Sequence, residues 1–142
     1  MADSSTSRLV FVSHSGEDTW VAKQIAREVS ERGAQVFLDE ASVAVGAEFE
    51  ERILEFLDRA HELVVLFTPW AFDRPYVWSE LGAAWIRRLP IVVLLHGLTV
   101  QHFQSDPKAP IFLKKRDIIS LNAIDQYLDE LSARVKSAAS HA

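Results

Sequence analysis

The chain has 142 residues, of which 49% are hydrophobic and 25% charged, a balance typical of a soluble globular domain with one core. The formal net charge of −5 and the pI near 5.5 argue against a nucleic-acid surface, because neutralising phosphates takes clustered Lys and Arg. Because cysteine is absent, a disulfide, a thiolate nucleophile and a thiolate zinc site are excluded, and we expect no bound metal.

Both ends of the chain are short and polar. Residues 1–7 and 137–142 are predicted to be flexible tails, the second of which could be a linker, so the folded domain is expected over residues 8–136. The longest apolar run, residues 91–95, is too short to span a bilayer, and residues 1–7 lack the features of a signal peptide. A cytoplasmic protein without a membrane partner is therefore expected.

Five short runs rich in Val, Leu, Ile and Phe predict β-strands. Most contain consecutive apolar residues without polar alternation, which indicates strands covered on both faces, as in a parallel sheet between helices. The predicted strands are residues 8–13, 35–39, 63–67, 91–95 and 117–120.

Helical patterns fill the gaps between these strands. Ser15 is a predicted N-cap, with the Asp18 carboxylate three residues on, and Gly33 ends that first helix. A second helix is predicted over about residues 48–60, a third from Pro75 to near Pro90, and a last one over about residues 123–136. The predicted inward-facing residues are Val21, Ile25 and Val29; Phe49, Ile53, Leu54 and Leu57; Val77, Leu81, Ala84 and Trp85; and Ile124, Tyr127, Leu128, Leu131 and Val135.

Alternating strands and helices predict an α/β fold, a flavodoxin-like three-layer sandwich. Residues 96–115 are poorly periodic and contain two prolines, so a helix there would be short or distorted. Right-handed crossovers give a five-stranded parallel sheet in the order 2-1-3-4-5 with helices on both faces. Ligands in such sheets bind at the carboxyl ends of the strands beside strand 1, which places Ser13, His14 and Asp39 around one crevice.

Four segments, in order, resemble consecutive parts of one known domain family. Residues 11–18, Phe-Val-Ser-His-Ser-Gly-Glu-Asp, resemble its first strand and the turn that follows. Residues 36–49 resemble its second strand and ligand-contacting loop, and residues 66–69, Leu-Phe-Thr-Pro, resemble the end of its third strand. Residues 74–81, Arg-Pro-Tyr-Val-Trp-Ser-Glu-Leu, resemble the segment that carries the catalytic glutamate in NAD-consuming members. Taken together, the four segments resemble the TIR (Toll/interleukin-1 receptor) domain family, bacterial type, and the match is good over about residues 8–95.

The resemblance implies an enzyme whose catalytic residue is Glu80. Such an NAD⁺ glycohydrolase releases nicotinamide with ADP-ribose or a cyclic isomer, in bacterial immune signalling such as antiphage defence or as an effector; NAD⁺ is the substrate and no cofactor is expected. Tyr76 occupies the position four residues before Glu80 where the family usually has Trp, and Trp78 follows two residues later. Tyrosine still offers a face for stacking.

A single carboxylate could suffice to cleave NAD⁺. O-Glycosides usually need two carboxyl groups, because a poor leaving group must be protonated. The nicotinamide of NAD⁺ is already cationic and departs neutral, so Glu80 alone could stabilise the ribose centre. Its position in the first turns after Pro75 suits a negative charge, although a surface glutamate matched to the helix dipole is the commoner occupant of such a position.

The other candidate substrate-binding residues each have a structural alternative. Ser13 and His14 follow strand 1 and could meet ribose or phosphate, whereas His14 could equally be solvated. Asp39 ends strand 2 near a potential ribose, or lies in a solvated turn. Gly46 provides backbone freedom for the loop, or merely precedes a helix. Phe49 stacks on nicotinamide, or packs against Ile53. Trp78 and Trp85 are expected to be packing residues.

Three other functions compete with NAD⁺ cleavage. A response-regulator receiver needs an aspartate after strand 3, where this chain has Thr68-Pro69. A nucleoside deoxyribosyltransferase-like enzyme would also use a glutamate, but the motif order does not favour it. The main alternative is a non-catalytic TIR adaptor that acts by self-association. The family uses its loop, here residues 40–47, to pack on a neighbouring TIR domain, so the resemblance implies self-assembly in either case.

Overall fold

A computed structural model of the chain describes residues 8–38, 54–107, 109 and 117–140. The strands are β1 (Leu9–Ser13), β2 (Gln35–Leu38), β3 (Glu62–Phe67), β4 (Ile91–Leu95) and β5 (Asp117–Ser120). The helices are α1 (Thr19–Glu31), α2 (described at 54–59), α3 (Pro75–Ile86), α4 (Val100–Ser105) and α5 (Ile124–Ser140). Single 3-10 turns precede α1, α3 and α5 at Gly16–Asp18, Ala71–Asp73 and Leu121–Ala123.

All five strands pair in parallel, in the order β2-β1-β3-β4-β5. This confirms the predicted order, in which the chain reverses its direction of travel across the sheet at β1. β1 lies between β2 and β3, with Phe11 aligned with Phe37 on one side and Leu63 on the other. β1, β3 and β4 are buried at every position, as expected for strands whose two faces are both covered by helices.

Alternate residues of each central strand enter two separate cores. Phe11, Val65 and Val93 belong to one core with residues of α2, α3 and α4. Their neighbours Val12 and Val64 belong to the other core, with residues of α1 and α5. Because successive side chains in a strand point to opposite faces, the continuous apolar runs supply both cores at once. The predicted three-layer sandwich is confirmed.

The end of α1 is fixed by glycine, as predicted. Gly33 has φ +93°, a conformation that side chains rarely adopt, and its N–H donates to the Ser30 carbonyl. A Cβ built at Gly33 would lie 3.3 Å from Val135 Cγ1 of α5. The glycine therefore ends α1 and also allows α5 to pack closely against that turn.

Three details of the helices differ from the sequence prediction. The last helix extends past Lys136 to Ser140, because the alanines of the predicted tail favour continued helix. Leu54 is 46% exposed while Leu57 is buried. The inward face of α2 is centred nearer Phe56, which stacks on Phe37 with ring centroids 3.9 Å apart, so Leu54 points away.

Trp85, predicted to face inward, is also wrongly placed by the helical pattern. It is 46% exposed, although Leu81 and Ala84 of the same stripe are buried. The chain turns back directly after α3, where Arg88 has φ 60°, and Leu89 packs against the core there. Trp85 is left at the rim. Residues 96–115, where any helix was expected to be short or distorted, contain the six-residue helix α4, with Thr99 as its N-cap.

Candidate active site

The carboxyl ends of β1 and β3 lie side by side where the strand order reverses. Ser13, the last residue of β1, is aligned with Val65 of β3, and Thr68 follows β3. Helices that cover opposite faces leave the sheet on either side of this point, which opens a crevice in folds of this type. In this structure the turn after β1 and the first half of α3 meet at this point.

A buried hydrogen bond joins β1 to α3 at this edge. Ser13 alternates with Val12 and so shares the face of Phe11, the face that α3 covers. Its Oγ donates to Glu80 Oε1 at 2.6 Å. Ser13 is fully buried and Glu80 is 3% exposed, beside Val77 and Leu81 in α3. The interpretation of Glu80 as a surface residue matched to the helix dipole is therefore wrong.

His14 is also buried, at 2% exposure, so the solvated alternative is wrong. Its Nδ1 lies 2.7 Å from the Ser15 carbonyl oxygen. A carbonyl only accepts, so Nδ1 carries the proton, and in the neutral ring Nε2 is then an acceptor. Nε2 is buried and has no hydrogen-bond partner within the described ranges. The side chain is thus held in one orientation with one nitrogen available to a ligand.

Asp18 is a further buried carboxylate at this edge, which sequence reasoning missed. Its Oδ2 accepts from Ser15 Oγ at 2.9 Å and from Thr68 Oγ1 at 2.5 Å. Ser15 is at the N-cap position of the 3-10 turn, but its hydroxyl binds this carboxylate and caps no backbone N–H. The capping-box pattern offered a sufficient local explanation for Asp18 and so concealed the contact to Thr68.

The two aromatic residues before Glu80 have different surroundings. Tyr76, one turn before Glu80, is half-buried and packs against the core beneath α3. Trp78 donates from Nε1 to the Phe72 carbonyl at 3.0 Å, and its ring centroid lies 5.2 Å from that of Phe67. Trp78 is a packing residue, as predicted. The predicted site residues Asp39, Gly46 and Phe49 and the loop 40–47 lie outside the described residues.

A second buried carboxylate, Glu62, lies at the opposite, amino-terminal edge of the sheet. It receives hydrogen bonds from Tyr127 Oη at 2.6 Å, Arg134 Nε and Nη2 at 3.1 Å each, and Arg8 Nε at 2.5 Å. Burial raises the pKa of Glu62, but these hydrogen bonds outweigh it and hold the pKa below the usual 4.5. Burial, with Glu62 beside it, raises the pKa of Tyr127. Both Glu62 oxygens have protein donors, so this cluster is structural.

The described residues contain neither a metal-binding cluster nor a membrane-spanning helix. No group of three or more His, Cys, Asp or Glu side chains in this part of the chain could hold a metal ion. No helix there is both long and apolar enough to cross a membrane.

The family and structure comparisons agree on one fold. The model of the TIR domain family matches residues 10–133. The TIR domain of the Toll-related receptor TRR-2 from Hydra magnipapillata is similar with a TM-score of 0.65 and 16% identity, over 89% of this chain and 97% of that one. A search of curated protein sequences gives no match.

Two further solved structures are similar at comparable levels. The TIR domains of the activated Roq1 resistosome, which directly recognises the pathogen effector XopQ, give a TM-score of 0.60 and 17% identity over 96% of this chain and 86% of that one. A prokaryotic SEFIR domain gives a TM-score of 0.57 and 18% identity over 91% and 92%. At these identities the similarity shows the fold alone.

Proposed function

The chain belongs to the TIR domain family, and on that premise we propose that it is an NAD⁺ glycohydrolase with Glu80 as its catalytic carboxylate. One observation carries the proposal: a glutamate is buried at the carboxyl edge of the sheet, at the switch point, and is held there by a hydroxyl of β1. A surface role does not account for a buried carboxylate, and charged groups are rarely buried without a specific reason.

The proposed reaction breaks the bond between C1′ of the ribose and the nicotinamide nitrogen. The bonding electron pair goes to the pyridinium nitrogen, and nicotinamide leaves as a neutral molecule. The Glu80 carboxylate stabilises the positive charge that develops on the ribose, and its burial strengthens this interaction because little water screens it. Water then adds to C1′ and releases a proton to solvent, giving ADP-ribose; attack by the adenine of the same molecule gives a cyclic isomer.

Ser13 has a positioning role in this proposal. Its donated hydrogen bond fixes the position of Glu80 Oε1. His14 is a candidate substrate-binding residue, because its Nε2 can accept a hydrogen bond from a ribose hydroxyl. Tyr76 is proposed to stack on the substrate, and Asp39, Gly46 and Phe49 remain candidates from the resemblance. We place the activity in bacterial immune signalling.

We also propose that the domain assembles with other TIR domains through residues 40–47. This segment, Glu-Ala-Ser-Val-Ala-Val-Gly-Ala, has two valines and no charge after Glu40, which is unusually apolar for a free surface loop. A head-to-tail contact of this kind is heterologous and can propagate into an open filament.

The experiment that tests the activity is incubation of concentrated protein with NAD⁺, followed by chromatography of nicotinamide and its partner product. Glu80→Gln should reduce nicotinamide release at least about 100-fold, because it removes the charge that stabilises the transition state. The glutamine oxygen can still accept the hydrogen bond from Ser13, so the melting temperature should not change. Glu130→Gln removes the same charge from an exposed position on α5 and should leave activity unchanged.

The outcome separates the enzyme from the adaptor. Equal nicotinamide release by wild type and Glu80→Gln would exclude the proposed mechanism. No release by wild type at any concentration, in a protein that still self-associates, would instead identify a non-catalytic adaptor.

A further inference from the structure

An ion pair crosses the same edge of the sheet as the Ser13–Glu80 hydrogen bond. Arg74, the residue before α3, donates from Nη2 to Glu17 Oε1 at 3.2 Å. Glu17 lies in the 3-10 turn after β1, four residues beyond Ser13, and Arg74 precedes Glu80 by six residues. The two contacts therefore join the same pair of segments, 13–17 and 74–80, at two points.

The protein satisfies only part of the hydrogen-bonding capacity of the Arg74 guanidinium. Its side chain is 39% exposed and that of Glu17 is 55% exposed, so solvent and ligands can reach the pair. The Nε of Arg74, in contrast, is buried and has no hydrogen-bond partner in the part of the chain that the structure describes. A buried N–H donor without an acceptor is costly, which favours a ligand that brings one.

A substrate that carries phosphates needs a positively charged hydrogen-bond donor near Glu80. The five glycines of the sequence are too far apart to match the glycine-rich motif that usually binds the pyrophosphate of a dinucleotide, and the net charge of −5 repels an anion. An arginine presents a fork of N–H donors that fits phosphate oxygens. Six residues span about 9 Å along a helix, and the pyrophosphate of NAD⁺ is only a few bonds from the ribose carbon that faces Glu80.

We propose that Arg74 binds the pyrophosphate of the dinucleotide substrate and that Glu17 holds its guanidinium when the site is empty. On binding, a phosphate takes the place of the Glu17 carboxylate. This inference rests on the proposed function, because it assumes that the ribose lies against Glu80. It assigns the recognition of phosphate to one side chain and gives the opposing carboxylate the role of a competitor.

The test uses two variants that break the same ion pair from opposite sides. Arg74→Gln should raise KM for NAD⁺ about tenfold or more with little change in kcat, because a hydrogen bond between charged groups contributes at least that factor. Glu17→Gln removes the competitor and should lower KM by about two- to fivefold, the strength of an exposed ion pair. Nicotinamide riboside, which has no phosphate, should show neither effect.

A matched control comes from the other end of α3. Arg87 pairs with Asp58, with side chains that are 32% and 61% exposed, so Arg87→Gln removes a similar ion pair away from the site. Its KM should equal that of the wild type. If Arg74→Gln and Glu17→Gln shifted KM in the same direction, or changed turnover of nicotinamide riboside equally, the pair would be structural and the inference overturned.

Binding of ADP-ribose separates this inference from the proposed activity. ADP-ribose retains the pyrophosphate but has no bond to cleave, so calorimetric titration needs no turnover. Weaker binding to Arg74→Gln and tighter binding to Glu17→Gln would support the phosphate site, even if wild type released no nicotinamide. Equal affinity of all three proteins, or no binding to wild type at about millimolar ADP-ribose, would overturn it.

Discussion

Burial of the Glu80 carboxylate in contact with Ser13 determines what this residue can do. In water, a carboxylate near a developing positive charge is heavily screened, whereas at 3% exposure few solvent molecules reach it. The Ser13 hydroxyl donates to Oε1, which orients the carboxylate in advance of the proposed reaction. Preorganised charge of this kind costs no rearrangement during the reaction.

At the scale of single residues, Tyr76 should contribute mainly to activity and Trp78 mainly to stability. Tyr76→Ala should reduce nicotinamide release per folded molecule about tenfold or more, because the half-buried ring lies one turn from Glu80. Trp78→Ala should instead lower the free energy of unfolding by about 3 kcal/mol, because its ring packs on Phe67 and Phe72. Chemical denaturation and turnover are measured on the same samples.

Tyr76→Phe is the matched control, since it keeps the ring and should retain most activity. A larger loss of turnover for Trp78→Ala than for Tyr76→Ala, at matched fractions of folded protein, would move the aromatic contact to Trp78.

At the scale of elements, the Glu62 cluster fastens α5 to the sheet. Glu62 begins β3, Arg8 precedes β1, and Tyr127 and Arg134 lie two turns apart on α5. Tyr127 also fills the core beneath α5, with Leu128 and Leu131. A charge this deeply buried is destabilising alone, and the hydrogen bonds and opposite charges of its three partners offset that cost.

Glu62→Gln should therefore lower the free energy of unfolding by about 3 kcal/mol at about pH 7, because both arginines would face a neutral amide. Since the pKa of Glu62 is lowered in the folded protein, its contribution is present above the ordinary carboxyl pKa of 4.5. That contribution is lost as the pH falls through the lowered folded-state pKa. Urea denaturation across this range should show the difference between wild type and variant shrinking with acidification.

Tyr127→Phe removes a single hydrogen bond of the cluster and should cost only about 1 kcal/mol. Both variants should leave turnover per folded molecule unchanged, because the cluster lies at the opposite edge from Glu80. If the difference in free energy of unfolding between wild type and Glu62→Gln stayed constant down to about pH 3, the charge of Glu62 would not be the source of the stabilisation.

At the scale of the whole molecule, activity should depend on assembly. If the substrate site is completed by a neighbouring domain, activity per molecule rises with protein concentration, because the weak contact fills by mass action. Val45→Glu or Gly46→Pro in the proposed contact loop should suppress this rise. Nicotinamide release is measured over about a hundredfold range of concentration, the span over which a micromolar contact fills.

The melting temperature of Val45→Glu distinguishes two roles of the loop. An unchanged value with suppressed activation supports a contact between domains, whereas a lowered value indicates that the valine packs within its own domain. Specific activity that stayed flat across the whole range in wild type would exclude the shared site.

The sequence by itself determined the architecture of this protein. Runs of consecutive apolar residues indicated strands covered on both faces, and helical spacing placed the segments between them. The observed order β2-β1-β3-β4-β5 is the simplest one that these patterns and right-handed crossovers allow. Ends of helices were predictable wherever one residue controls the backbone, as at Gly33 and Pro75. These signals are local, because each depends on a few neighbouring residues.

Only the tertiary structure decided which polar groups meet and which apolar ones stay outside. Ser13 and Glu80 are 67 positions apart, Thr68 and Asp18 are 50 apart, and Glu62 reaches Arg134 across 72. Such contacts depend on strand register and on where each helix lies over its face, and no local pattern encodes either. For the same reason, the helical pattern wrongly placed Leu54 and Trp85 inside: periodicity gives the direction of a side chain, but the neighbouring elements decide whether anything covers it.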